Sequence, residues 1–135
     1  MSAVTEYFFT PVYYPRTTWT VVHWWEARRP VYNMAVGAAG VLSLFALKVS
    51  ASLPPHPVHG EIPWQAVLAY ALLANLAYTI GPVVDLAITR RWGHEYAPVG
   101  PALFRYGFVF SVGLTLLPIA LAVLSWIGRV LEVLL

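Results

Sequence analysis

The sequence has no cysteine and few charged residues, and both shortages exclude classes of protein. Without cysteine there can be no disulfides, thiolate zinc sites, iron–sulfur ligation or cysteine nucleophiles. Charged residues make up 10% of the 135 positions, whereas 59% of the positions are apolar, and the mean hydropathy is +0.67. Such a chain cannot easily build a water-facing surface around a packed core. A net charge of +2 is also too small to indicate a nucleic-acid partner. We therefore expect an integral membrane protein.

Three apolar runs follow one another along the chain, and each is long enough for a transmembrane helix. About 20 residues, rising about 1.5 Å each, cross a hydrocarbon core of about 30 Å. The runs predict an all-α fold with three transmembrane helices, at about residues 31–49, 62–89 and 102–128. The second run exceeds the core thickness, which predicts tilt or protrusion. Gly81-Pro82 predicts a kink within it.

The first thirty residues are rich in aromatic side chains and lack the pattern of a secretory signal. Pro11 and Pro15 interrupt regular structure before Thr17, which can cap a short Trp-rich helix. Because amphipathic rings favour lipid headgroups, we expect residues 1–30 to form an interfacial segment that precedes a transmembrane domain at residues 31–135. The helix could also run straight into the first span, and a disordered tail is the remaining alternative. The expected interfacial anchors are Trp19, Trp24, Trp25, Trp64, Trp92 and Trp126.

The positions of the basic residues predict an orientation, because cytoplasmic flanks are enriched in Lys and Arg. With the N-terminus in the cytoplasm, six basic residues lie inside, namely Arg16, Arg28, Arg29, Arg90, Arg91 and Arg105. Lys48 and Arg129 then lie outside. We therefore expect a cytoplasmic N-terminus and a C-terminus on the opposite side.

Apart from Lys48 at the far end of the first run, two charged residues fall inside the predicted spans, both near the cytoplasmic side. Asp85 precedes Arg90 by five residues, and Arg105 stands near the start of the third run. In an antiparallel hairpin these two side chains could pair, with Asn33 at the same level on the first helix. We expect a structural polar clasp of Asn33, Asp85 and Arg105. A proton or ion path is the functional alternative, but no relay of acidic or histidine residues continues across the membrane.

Small and polar residues recur at helical spacing on all three spans, which permits close approach of helices. These rows predict packing faces within the chain or docking faces for partners. The candidate interface residues are Gly37, Gly40, Ala74, Asn75, Tyr78, Gly81, Gly107 and Ser111.

The histidines argue against cofactors ligated inside the membrane. His23, His56, His59 and His94 all fall in flanks or loops, so we expect no haem or chlorophyll held by a mid-span histidine and no metal site. Bound lipid is expected, and the residues leave peripheral pigment or quinone contact open. The sequence has no GxSxG elbow, HExxH helix or phosphate loop, and we expect no enzyme. A lipid-modifying enzyme using His94, Glu95 or His23 is a third, weaker alternative.

Two short stretches resemble small uncharacterised multi-pass bacterial membrane proteins. They are Trp25-Glu26-Ala27-Arg28-Arg29 followed by Tyr32-Asn33, and Ala74-Asn75 followed by Tyr78, Gly81 and Asp85. The resemblance implies a bacterial inner membrane location and carries no activity with it. In size and style the chain is also similar to accessory subunits of bacterial photosynthetic or respiratory membrane complexes.

These observations lead to two functional hypotheses. The first is a non-catalytic accessory subunit that packs within a larger membrane complex, with other membrane-protein subunits and the lipid bilayer as its partners. The second is a small homo-oligomeric transporter or channel lined by Asn75, Thr79, Asp85 and Arg105. Three helices offer too few midplane polar groups for a transport site in one copy, so the second hypothesis requires an oligomeric pore.

Overall fold

The computed structural model describes residues 2–12, 15–93 and 98–135, and these ranges contain helices and no strand. In these ranges five helices follow one another: α1 (Ala3–Phe9), α2 (Thr18–Glu26), α3 (Arg29–Ser52), α4 (Trp64–Trp92) and α5 (Gly100–Leu134). The expected all-helical class is confirmed for the described part of the chain.

Within the part of the chain that the structure describes, three stretches are long and apolar enough to cross a membrane, as the hydropathy pattern predicts. They are Thr18–Ser52, which combines α2 with α3, then Trp64–Trp92 and Gly100–Leu134. Each of the three long helices continues past the C-terminal end of the apolar run expected from the sequence, and α4 begins two residues after its predicted start. The reason is that hydropathy marks where hydrocarbon could lie, whereas a helix continues until its backbone hydrogen bonding is interrupted.

Local signals in the sequence account for where the short N-terminal helices begin and end. The Thr17 and Thr20 side chains form a reciprocal capping box at the start of α2. Pro30 stands in the first turn of α3, where its missing N–H costs no hydrogen bond. Ala27 and Arg28 separate the two helices. The predicted Trp-rich helix before the first span is therefore present, and it ends at a two-residue break.

The three long helices pack unevenly. α3 and α5 run side by side along most of their length, while α4 contacts each of them less and also contacts α2. Hydroxyl groups join the helices to one another: Ser43 donates to the Thr115 carbonyl at 2.5 Å, and Ser50 donates to the Ala122 carbonyl at 2.7 Å. The Tyr70 and Thr115 hydroxyls lie 2.5 Å apart between α4 and α5.

The hydrophobic core lies at the end of the bundle where α1 and α2 pack. Its buried members come from every element except α1, which adds partly buried rings. At the opposite end, the proline-rich loop of residues 53–63 is held against α5. Trp126 donates to the Pro54 carbonyl at 3.0 Å, and Arg129 donates to the His56 carbonyl at 3.3 Å. The helices α1 and α2 therefore belong to the packed structure.

Candidate functional site

A cluster of aromatic rings, which we call the aromatic cluster, joins the N-terminal helices to the bundle. Its members are Tyr7, Phe8, Trp24, Trp25, Tyr32, Tyr78, Phe104 and Phe108. Phe104 lies at its centre, 6.0 Å from the Trp25 ring, 6.1 Å from the Trp24 ring and 5.6 Å from the Phe8 ring between centroids. Most of these pairs meet edge to face, the arrangement that ring quadrupoles favour. The cluster fixes α1 and α2 against α4 and α5.

Two of the expected interfacial anchors lie inside this cluster. Trp24 is 9% exposed and Trp25 is 2% exposed, so neither ring faces lipid headgroups. Trp25 also receives a hydrogen bond on its carbonyl from the Tyr78 hydroxyl at 2.5 Å. Aromatic rings favour both membrane interfaces and protein cores, and the sequence does not distinguish the two. Among the other anchors, Trp19, Trp64 and Trp92 are exposed, and Trp126 is half-buried.

Asp85 is buried beside the first residue of α5. The Trp25 indole N–H donates to its carboxylate at 2.9 Å, and only 5% of the residue is exposed. A Cβ atom added to Gly100 would lie 2.6 Å from the same carboxylate oxygen, so that glycine makes room for it. The carboxylate thus lies at the positive end of the α5 dipole. The positive charge of the Arg16 guanidinium, which is also buried, attracts this carboxylate.

The structure does not bring together the predicted clasp of Asn33, Asp85 and Arg105. Arg105 donates to the Phe8 carbonyl at 3.4 Å and lies 4.1 Å above the Phe9 ring. Asn33 is exposed on α3. Asp85 is level with Gly100, more than a helical turn from Arg105. The position of a residue along the chain indicates its approximate depth in the bundle, but not the direction in which its side chain leaves the helix.

Two arginines hold the C-terminal end of α1. Arg28 donates to the Tyr7 carbonyl at 2.9 Å, and its guanidinium lies 3.7 Å above the Trp24 ring. Together with the bond from Arg105 to Phe8, this satisfies two carbonyls that a helix end leaves without intrahelical partners. Burial raises the pKa of the Tyr7 phenol, and the positive charge of Arg28 opposes that rise. No pattern in the sequence indicates this role for either arginine.

A polar group lies on the outer surface where α2, α3 and α4 meet. Arg29 and Glu26 form a two-point ion pair, with both nitrogen–oxygen distances at 2.7 Å. The Arg29 guanidinium also approaches the Asn75 amide oxygen at 3.4 Å and the Thr79 hydroxyl at 3.5 Å. The four residues Glu26, Arg29, Asn75 and Thr79 form what we call the surface polar group. In the sequence, the spacing of three residues between Glu26 and Arg29 on a helical stretch indicates this ion pair.

The small-residue rows serve different purposes along the chain. Gly81 faces the Trp25 ring of α2, where an added Cβ would come within 2.4 Å. Gly40 lies against Thr115, with 3.8 Å from an added Cβ to its methyl group. At Gly37 and Gly107 an added Cβ would meet nothing within 4 Å. The expected interface residues therefore divide into internal contacts and open positions.

An apolar cleft of about 280 Å³ opens between α4 and α5. Tyr32, Tyr78, Phe104 and Ser111 are among the residues that line it, and Gly107 stands on the α5 side. The Tyr32 hydroxyl donates to the Ala74 carbonyl at 3.0 Å and to the Ser111 hydroxyl at 3.1 Å. These bonds join three helices beneath the cleft. The expected interface residues Ala74, Tyr78, Gly107 and Ser111 thus gather around one feature.

Within the described residues, no group of three or more metal-ligating side chains occurs. His23 is exposed on α2 and stacks on Trp19 with 6.3 Å between ring centroids. The enzymatic alternative also invoked His94 and Glu95, which lie outside the described residues. Comparison with protein-family models, curated proteins and solved structures finds no match to this chain.

Proposed function

We propose that this protein is a non-catalytic integral membrane subunit whose spanning helices dock against other membrane-protein subunits. The observation that carries the proposal is the cleft between α4 and α5, which packing within the chain leaves open. Protein interiors are normally close-packed, so an unfilled space between two helices is a place where a partner gains contacts.

The α5 side of the cleft has the chemistry of a helix-docking surface. Gly107 has no side chain, and an added Cβ there would have open space around it. Tyr106 and Phe110 are 77% and 69% exposed and flank this glycine. Helices associate in membranes through close packing at small residues, because lipid tails are as apolar as the side chains themselves. A partner helix would therefore lie over Gly107 and insert an apolar side chain into the cleft.

The test is a leucine at Gly107, compared with a leucine at Gly113. Both glycines lie on α5 with open space around them, but only Gly107 lines the cleft. We expect G107L to abolish co-purification of partners in mild detergent, as measured by native electrophoresis and mass spectrometry, whereas G113L retains them. Both variants should keep the helical circular dichroism of the parent.

Two outcomes would count against the proposal. If the unsubstituted protein purifies as a lone monomer or a small homo-oligomer, it does not dock on another membrane-protein subunit. Equal loss of partners in both variants would show that the cleft is not the docking site.

The surface polar group favours a second candidate, the homo-oligomeric transporter or channel. Asn75 and Thr79 share an outward face of α4, as a pore in an oligomer requires. Asp85 is enclosed behind Trp25, and Arg105 contacts α1, so these two residues do not share that face. Reconstituted flux that persists in an Asn75→Leu variant would exclude this candidate.

The proposed location is the bacterial inner membrane, as the resemblance of the two short stretches implies. An energy-converting complex, photosynthetic or respiratory, is the kind of assembly proposed for the subunit. The support for it is the similarity in size and style.

A further inference from the structure

We propose that one boundary of the hydrocarbon core runs through Glu26, Arg29, Thr79, Arg105 and Tyr106, which we call the inner collar. Everything beyond this collar then stands in the headgroup region and water. The protein in that layer consists of α1, α2, the last part of α4 and the first residues of α5, and we call it the cap. This inference is independent of the proposed function, because it concerns how the chain meets lipid and not which protein docks on it.

Contacts between elements place the collar residues at one level of the bundle. The Arg29 guanidinium reaches the Thr79 hydroxyl at 3.5 Å and lies 4.7 Å from the Tyr78 ring centroid. Tyr78 in turn faces Phe104 across the α4–α5 contact, with 6.4 Å between ring centroids. Arg105 and Tyr106 follow Phe104 directly in the sequence.

The spacing to the charges at the other end of the bundle matches a hydrocarbon core of about 30 Å. From Arg29 to Lys48 is a helical distance of about 28 Å. On α4 the helical rise from Trp64 to Thr79 is about 22 Å, and Glu61 lies three residues before that helix. From Arg105 to Arg129 the helical distance is about 36 Å, which leaves room for tilt and for side chains that reach outward. No charged residue occurs between these pairs.

The exposure of the ion pair between Arg29 and Glu26 also supports a boundary at the inner collar. The Arg29 and Glu26 side chains are 25% and 46% exposed on the outer surface. If α4 lay in hydrocarbon along its whole length, this pair would meet lipid tails near the middle of that helix, where charge is strongly disfavoured. At the collar the same pair meets lipid headgroups. Tyr106, which is 77% exposed, then lies where aromatic belts are found.

With the boundary at the inner collar, Asp85 lies outside the hydrocarbon core. It lies six residues beyond Thr79 on α4, about 9 Å farther from the hydrocarbon. Its contacts with Trp25 and Gly100 then belong to the buried centre of the cap. Asp85 is thus a structural acid of the cap, outside the transmembrane segment.

The absence of cysteine makes a direct depth measurement simple, because each engineered cysteine is the only thiol. Residues 72, 76, 83 and 87 form an exposed stripe on one face of α4. Each is replaced singly by cysteine, spin-labelled and reconstituted into vesicles of phosphatidylethanolamine and phosphatidylglycerol. Collision rates with oxygen, which concentrates in hydrocarbon, and with a water-soluble nickel chelate give the depth of each label by electron paramagnetic resonance.

We expect oxygen to dominate at Leu72→Cys and Leu76→Cys and the nickel chelate to dominate at Val83→Cys and Ala87→Cys. A label at residue 83 as deep as the label at residue 72 would overturn the proposed boundary. Dominance of the nickel chelate at all four positions would overturn it as well, by showing that α4 does not enter the hydrocarbon. Labels at exposed positions leave the core packing intact, and circular dichroism of each variant checks the fold.

Discussion

At Gly81 the lack of a side chain lets the Trp25 indole come directly against the backbone of α4. The same ring donates to Asp85 and packs on Phe104, so one tryptophan connects α2 with both α4 and α5. Small residues on a spanning helix are usually explained by helix–helix approach. Here the glycine accommodates a ring from the N-terminal segment, and its substitution should disturb the fold of the single chain.

Replacement of Gly81 by alanine should therefore destabilise the protein, whereas the same change at Gly37 should not. The new methyl group would come within 2.4 Å of the Trp25 ring at Gly81 but would meet nothing within 4 Å at Gly37. Overpacking of this kind costs about 1–3 kcal/mol. Unfolding in mixed micelles, followed by circular dichroism, measures the difference between the two variants. Equal stability of G81A and G37A would show that the ring does not occupy this position.

At the scale of the elements, α1 depends on contacts with other parts of the chain. It has seven residues and no buried residue of its own, and an isolated helix of that length is not stable in water. Its Tyr7 and Phe8 rings pack near Phe104, and its last carbonyls accept hydrogen bonds from Arg28 and Arg105. Removal of one arginine should loosen α1 without unfolding the bundle.

Replacement of Arg105 by alanine should accelerate amide hydrogen exchange in α1. A lost hydrogen bond of about 1 kcal/mol corresponds to about a fivefold increase in local opening. Hydrogen exchange with mass spectrometry over residues 3–9 and 102–128 separates local opening from global unfolding. Arg129→Ala is the matched control, because Arg129 contacts the Ser50 and His56 carbonyls at the other end of the bundle. Unchanged exchange of α1 in R105A would contradict the proposed role.

Some features of these helices can be predicted from a single sequence, and others cannot. Long apolar runs predicted three helices long and apolar enough to span a membrane, and the Thr17 cap predicted α2, because both signals are local. The clasp of Asp85 with Arg105 failed because depth along a helix says nothing about direction around it. The burial of Trp24 and Trp25 could not be predicted from the local sequence, because it depends on contacts with α5, which lies more than seventy residues away in the sequence.

At the scale of the whole molecule, the two ends of the bundle differ in their construction. One end carries the aromatic cluster, the surface polar group and Asp85, while the other is closed by a proline-rich loop tied to Trp126 and Arg129. Six of the eight basic residues lie at the first end, two of them in the last turn of α4. The end that carries the aromatic cluster is thus also the end that carries most of the basic residues. The distribution of basic residues in turn predicts which end faces the cytoplasm.

We expect the end that carries the cap to face the cytoplasm, because basic flanks are retained on that side during insertion. His59 in the loop after α3 and Pro98 just before α5 are both exposed and lie at opposite ends of the bundle. Each is replaced singly by cysteine, so that every variant carries one thiol. Spheroplasts of a bacterial host that expresses the variant are then treated with a membrane-impermeant maleimide. His59→Cys should be labelled in intact spheroplasts, whereas Pro98→Cys should be labelled only after permeabilisation. The reverse pattern would place the cap outside, and labelling of both in intact spheroplasts would show a mixed orientation in which the charge bias does not decide the topology.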